Sequence, residues 1–226
     1  MTMLRAALVL GLLSAVGPFA IDMYLPAMPL IATALDAEVS SVQFTLTAYF
    51  ISFGVAQLFY GLWSDQIGRK VPLYGGIGIF IVASIGCALA PTIGWLIAFR
   101  ILQGAGGAAL MVVPRAIIRD MHTGTQATKL LAMVILVISV SPMLAPLVGS
   151  GLIVIGDWRL IFWTLCLTAV LSLILTVTAL PETSLPSERV PLNLRNFVRG
   201  SNTLIRDPVF MGLTFIGGFG FASFMV

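Results

Sequence analysis

The chain has 226 residues, 59% of them hydrophobic and only 9% charged, where soluble domains carry about 25% charged residues. That composition excludes a soluble domain and marks an integral membrane protein. The net charge of +3 is no footprint of a nucleic-acid partner, because the basic residues are confined to particular loops, and a single histidine, His122, excludes multi-histidine metal sites.

A membrane-crossing helix needs roughly 20 mostly apolar residues, and the charged residues divide the chain into such lengths. The first span runs from about Leu4 to Leu30, with Asp22 inside it and Pro18, Pro26 and Pro29 around the acid. It is too long and too interrupted to read as a cleavable signal peptide. The second lies between Glu38 and Asp65, which bound 26 uncharged residues. Lys70 and Arg100 bound 29 more; these hold a third span, a break at Pro91-Thr92 and the start of a fourth. The fourth continues through Arg100 to about Ile118. The fifth lies within Leu130–Gly156 and the sixth within Leu160–Pro181. The chain thus reads as a six-span bundle over residues 1–181, a polar linker over 182–207 carrying Pro186 and Pro191, and the start of a seventh span over 208–226.

Loop charge sets the orientation. Ten of the twelve basic residues fall on one side: Arg5, Arg69, Lys70, Arg115, Arg119, Lys129, Arg189, Arg195, Arg199 and Arg206. The other side receives Arg159, and Arg100 is inside the membrane. The basic side, with the N-terminus, is therefore expected to be cytoplasmic. Cys87 and Cys166 lie in apolar runs and read as packing residues. No His-Glu-x-x-His, no Gly-x-Ser-x-Gly and no clustered metal ligands occur, which argues against an enzyme and against a metal site.

Two ionisable groups remain inside the spans, Asp22 and Arg100, each costing at least ~2.5–3.5 kcal/mol on insertion scales. At ~1.5 Å per helical residue, Asp22 lies about 12 Å in from the outer side and Arg100 about 10 Å in from the same side. Opposite charges at matching depth predict a pair across the first and fourth helices. Two readings follow. One is a fixed pair that only orients the helices. The other, which we favour, is a carboxylate that takes up a proton when its contact with Arg100 weakens. Gln103, Gly104, Gly107 and Met111 lie on or near the Arg100 face by three- and four-residue spacing. Gln103 can hydrogen-bond there, and Phe19 and Met111 are candidate apolar walls of a cavity beside Asp22 and Arg100. The glycines of "QGAGGAA" and "GGIGIF" read as close helix packing rather than phosphate binding.

The loop "GLWSDQIGRKVPL", residues 61–73, resembles the signature between helices two and three of the major facilitator superfamily, with Gly61, Asp65, Gly68, Arg69 and Lys70 in place. Physically, Gly61 and Gly68 permit tight packing and a sharp turn, Asp65 can face a helix N-terminus, and Arg69 can brace Asp65. "RILQGAGGAA" resembles the fourth-helix motif of proton-coupled antiporters in that superfamily. "SPMLAPLVGSG" resembles the fifth-helix antiporter motif through Pro146 and Gly149, with Ser141, Ala145 and Ser150 where glycine is usual. "DMYLPAMP", "DWRLIFW" and "LPET" are similar to the bicyclomycin-resistance and chloramphenicol-efflux branch of drug:proton antiporters. The resemblance implies an all-α membrane fold in which this chain supplies the N-terminal six-helix bundle, 3+3 inverted repeats, and the start of helix seven. It implies Asp22 and Arg100 as the proton- and substrate-binding pair, and an amphipathic drug and protons as cargo. A proton gradient would be the driving force in place of a cofactor, and a bacterial inner membrane the location. It further implies a partner for Asp65 in a C-terminal six-helix half that these residues do not include, so the sequence reads as part of a longer transporter. The alternatives are a nutrient symporter or uniporter of the same fold, and a membrane half-protein that does not transport.

Overall fold

Within a bilayer the polar backbone of an apolar run has no hydrogen-bond partner but itself, so lipid-length apolar runs close into helices. A computed structural model describes residues 2–184 and 202–225. Its helices are α1 (Met3–Asp22), α2 (Met28–Ala34), α3 (Val39–Ile67), α4 (Lys70–Ala88), α5 (Ile93–Met121), α6 (Gly124–Ser139), α7 (Ser141–Ile155), α8 (Arg159–Ala179) and α9 (Pro208–Met225). No strand occurs among the described residues, as the expected all-α class requires. α1 with α2, and α6 with α7, each make one crossing, so six helical units are long and apolar enough to span a membrane. The chain divides into two compact units between Arg189 and Val190. α1 to α8 lie in the first and α9 in the second. Most of the linker expected over 182–207 lies outside the described residues.

Prolines set the breaks. The first span is not one helix to Leu30: α1 ends at Asp22, and a 3-10 turn over Leu25–Ala27 carries Pro26 before α2 opens with Pro29 in its first turn. Proline supplies no N–H to the preceding turn, so the ladder is interrupted where the acid stands. The fifth span breaks the same way at Val140, with Pro142 at the start of α7. Between α3 and α4 the backbone turns at Gly68 with φ 99°, a conformation that a Cβ would strain.

α5 packs against α3 and α4, while α1 packs against α5, α6, α7 and α8. Small residues permit the approach. A Cβ at Gly104 would meet the Tyr49 carbonyl of α3, and one at Gly106 would stand 2.6 Å from the Phe80 nitrogen of α4. Gly149 of α7 lies against the Met23 carbonyl just past α1. The packing reading of these glycines holds. At Gly61 a Cβ would meet nothing within 4 Å among the described residues, so this unit supplies no packing partner for that glycine. Outward faces stay apolar, as at Ile51, Leu58 and Phe59 of α3 and Leu136, Leu147 and Val154 of α6 and α7.

Candidate functional site

Arg100 sits on the inner face of α5, fully buried. Its Nη1 donates to the Ala20 carbonyl at 3.1 Å and to Gln103 Oε1 at 2.7 Å. Ala20 belongs to the last turn of α1, and its carbonyl has lost its helical partner: Tyr24 N–H, one turn on, donates to Ile21 instead. The negative end of a helix dipole favours a cation there. Arg100 thus caps the helix that ends in Asp22. The two residues form no ion pair among the described residues, and the expected Asp22–Arg100 bridge is corrected accordingly. The reason is the break: α1 ends at Asp22, so the orphan carbonyl of Ala20 in its last turn, rather than the carboxylate, receives the guanidinium.

Aromatic rings take up much of the remaining cost. The guanidinium carbon lies 4.6 Å from the centroid of Tyr24 and 4.4 Å from that of Tyr49. A desolvated cation–π contact is worth about 2 kcal/mol, so two such faces offset a good part of the burial. Tyr24 and Thr45 hydroxyls share a 2.7 Å bond, and Tyr49 Oη donates to the Gly17 carbonyl at 3.3 Å, which locks both rings. Gln103 Nε2 donates to Ser84 Oγ, and Ser84 Oγ donates to the Phe80 carbonyl. One polar chain therefore joins α1, α5 and α4. Arg100 Nε and Nη2 within it, and Asp22 Oδ2 at the end of α1, are buried with no hydrogen-bond partner among the described residues. Such orphaned groups are expensive unless something else meets them.

Gln103 thus belongs to the site, but the two proposed apolar walls do not stand beside it. Phe19 lines a separate groove of about 350 Å3 between α1 and α8, with Leu12, Val16, Thr168 and Leu171 among its neighbours. Met111 is half-buried and three turns further along α5, about 16 Å from Arg100 by helical rise. Helical spacing places residues on a face, not at a depth. Tyr24 and Tyr49 were missed; an uncharged aromatic in an apolar run carries no signal that separates it from core.

A second cluster surrounds the signature loop. Arg69 donates from Nη1 to Asp65 Oδ1 at 2.6 Å and to Ser64 Oγ at 3.1 Å. Through Nε and Nη2 it also grips both oxygens of Asp120, at 2.7 and 3.0 Å. Burial works against this charge, but the bonds to Asp120 and then Asp65 outweigh it and hold the guanidinium above its ordinary range. Arg69 braces Asp65 as expected. Asp65 does not face a helix N-terminus within this unit; that position belongs to Glu182. Its carboxylate accepts from the backbone N–H of Arg69 (2.8 Å) and Lys70 (3.1 Å), where α4 begins, and from Thr183 and Ser184. Burial raises its proton affinity, yet these four donors outweigh it and hold the carboxyl below its ordinary range. Thr183 Oγ1 donates to Asp120 Oδ2 at 3.1 Å. The stretch just past α8 is thereby tied to the α3–α4 turn and to the end of α5. No group of three or more metal-ligating side chains occurs among the described residues.

Residues 10–226 match the family profile described as Major Facilitator Superfamily. The chain is 38% identical over 218 residues to the uncharacterized MFS-type transporter YdgK of Bacillus subtilis, covering 96% of this chain and 54% of that protein. It is 32% identical to a bicyclomycin resistance protein homolog of Haemophilus influenzae, covering 96% of this chain and 54% of that protein. Among solved structures it resembles the proton:xylose symporter XylE, with a TM-score of 0.71 at 18% identity, over 80% of this chain and 45% of that one. The last likeness concerns fold alone. The chain spans about half the length of the curated relatives it matches.

Proposed function

The chain belongs to the major facilitator superfamily, and on that footing we propose that it forms the first half of a proton-coupled exporter of amphipathic drugs. Its multi-pass membrane character follows from the six apolar helical units and the family. The observation that carries the mechanistic reading is that two buried groups near the break after α1, Asp22 Oδ2 and the free side of Arg100, are each unmet and do not pair with one another. A carboxylate left without a donor at the end of a proline-broken helix is suited to take a proton. A guanidinium fixed by Ala20, Gln103 and two tyrosines holds its place while it does so. Proton uptake at Asp22 then changes the charge of the site by one without moving Arg100. Substrate and proton compete for the same carboxylate, and that competition is the coupling. The name of the Haemophilus influenzae relative supports an antibiotic as cargo, with bicyclomycin and phenicols as the compounds to try. The second bundle supplies the other wall of the cavity in this reading. The basic loops support a cytoplasmic N-terminus, and the bacterial relatives support an inner-membrane location.

The test is Asp22→Asn in the protein at its native length. Membrane insertion is expected to persist, and proton-driven drug export in everted vesicles to be abolished. Export that is unchanged at several pH values would remove Asp22 from the coupling mechanism.

A further inference from the structure

A buried hydroxyl inside a membrane helix ordinarily satisfies itself one turn back. Thr45, Ser64, Ser84, Ser172 and Thr176 do so, each donating to a carbonyl three or four residues earlier. Ser14 of α1 and Ser141 of α7 do not. They are 2% and 1% exposed, and neither Oγ has a hydrogen-bond partner among the described residues. A buried hydroxyl left unmet is costly.

The two serines share one seam. A Cβ at Gly11 of α1 would stand 2.7 Å from Val137 Cβ of α6, and Gly149 of α7 lies against the Met23 carbonyl. Equal lengths of chain separate Gly11 from Met23 and Val137 from Gly149, so the two crossings run parallel and in step between those contacts. Ser14 follows Gly11 by three residues and Ser141 follows Val137 by four, which puts both at one level. Ser141, Ala145 and Gly149 form the buried stripe of α7, and its Gly149 end meets the chain just past α1. Proline adds two more unmet groups at this level. Pro18 lies inside α1 and Pro146 inside α7. Neither supplies an N–H, so the carbonyls of Ser14 and Pro142 lose their helical donors.

We propose that a buried water molecule is bound between Ser14 and Ser141, accepting from both Oγ–H groups and donating to the Ser14 and Pro142 carbonyls. Buried waters typically make about three bonds to groups that would otherwise be unmet, and two hydroxyls with two carbonyls match the two acceptor and two donor positions of water. A sodium ion would use the four oxygens but leave both hydroxyl protons without an acceptor. A direct bond between the hydroxyls would leave both carbonyls unmet. The water pins α1 to α7 where proline loosens both helices, about 12 Å along α1 from Asp22, and so steadies the segment that carries the acid. The site needs no residue of a second bundle.

The experiment uses the protein at its native length in detergent, footprinted with X-ray-generated hydroxyl radicals after mixing into 18O-water. Radicals formed from a bound water label its neighbours. Peptides around Ser14 and Ser141 are expected to be labelled despite their burial and to take up 18O more slowly than the exposed loops do. Ser14→Ala with Ser141→Ala should cut that labelling at least about threefold, since a water needs several partners to stay. Either alanine substitution alone should lower the thermal midpoint. The double variant should lower it by less than the sum, because one water is shared. Where the variants fold poorly, the footprint of the unaltered protein decides. No labelling there, labelling that survives the double substitution, or single variants as stable as the native chain would each overturn the proposal. So would a midpoint that rises when sodium replaces choline at equal ionic strength and no longer does so in the double variant, which would make the seam a cation site.

Discussion

Arg100 and Asp22 were legible because charge is rare in an apolar span; their partners were not. The surroundings of Arg100 predict a division between ring and hydroxyl at Tyr49. Tyr49→Phe keeps the face under the guanidinium and loses one 3.3 Å bond to Gly17, a cost of about 1 kcal/mol. Tyr49→Leu removes the face and is expected to cost about 2 kcal/mol more, read as a clearly lower thermal midpoint in detergent. If Phe proves as damaging as Leu, the hydroxyl holds the site and the sandwich is incidental. Glu182 gives a second case with a pH signature. Its carboxyl is held below the ordinary range in the folded chain, so its contribution is fully present above the unfolded value of about 4.3 and is lost as pH falls through the folded one. Glu182→Gln should therefore lower stability at pH 7 by about 0.5–1 kcal/mol, the worth of a helix N-terminal carboxylate. The gap to the native chain should close in acid; a gap independent of pH would refute the capping role. In the sequence, Glu182 stood out only as part of "LPET", because its partners are backbone N–H groups 112 and 113 residues away, and no spacing rule reaches across that distance.

At the scale of elements, the charge pattern located all six crossings, since every boundary lies in or beside a stretch carrying Lys, Arg, Asp or Glu or at Pro91, the α5–α6 turn falling between Asp120 and Lys129. The internal breaks were less legible. Proline marks where a helix can stop, yet Pro18, Pro114 and Pro146 lie inside helices that continue, while Pro26 and Pro142 coincide with interruptions. The difference is whether a neighbour meets the freed backbone groups, which is a tertiary property. Glycine shows the same division within two residues of α7. Gly149 is pressed on the Met23 carbonyl, while Gly151 has nothing within 4 Å among the described residues. Gly149→Ala should force α7 away from the break after α1 and cost about 1–3 kcal/mol. Gly151→Ala should be neutral or stabilise by up to about 1 kcal/mol, by restricting the unfolded chain. Opposite shifts in thermal midpoint would bear this out, and equal destabilisation would mean that the α1–α7 seam is looser than its geometry.

Across the whole molecule, burial is uneven in a way that hydropathy conceals. The second crossing, α3, and the fifth, α6 with α7, are as apolar as spans require but bury the least of themselves in this unit. Phe59 is 66% exposed on α3 and Leu136 68% on α6. Lipid can cover such faces, and so can a second bundle. The curated relatives, nearly twice as long as this chain, favour the bundle. The two covers differ in one measurable respect, because oxygen dissolves in hydrocarbon and relaxes a nitroxide that faces lipid, whereas a packed helix excludes it. In the protein at its native length, spin labels at Phe59 and Leu136 should show low oxygen accessibility. Labels at Leu171 and Val177 of α8, which are 55% and 57% exposed, should show high accessibility if α8 faces the bilayer. High values at all four sites would place α3 and α6 in lipid as well. The cavity wall opposite Asp22 and Arg100 would then have to come from some surface other than those two faces, and the drug-export reading would lose its architecture before any transport assay was run.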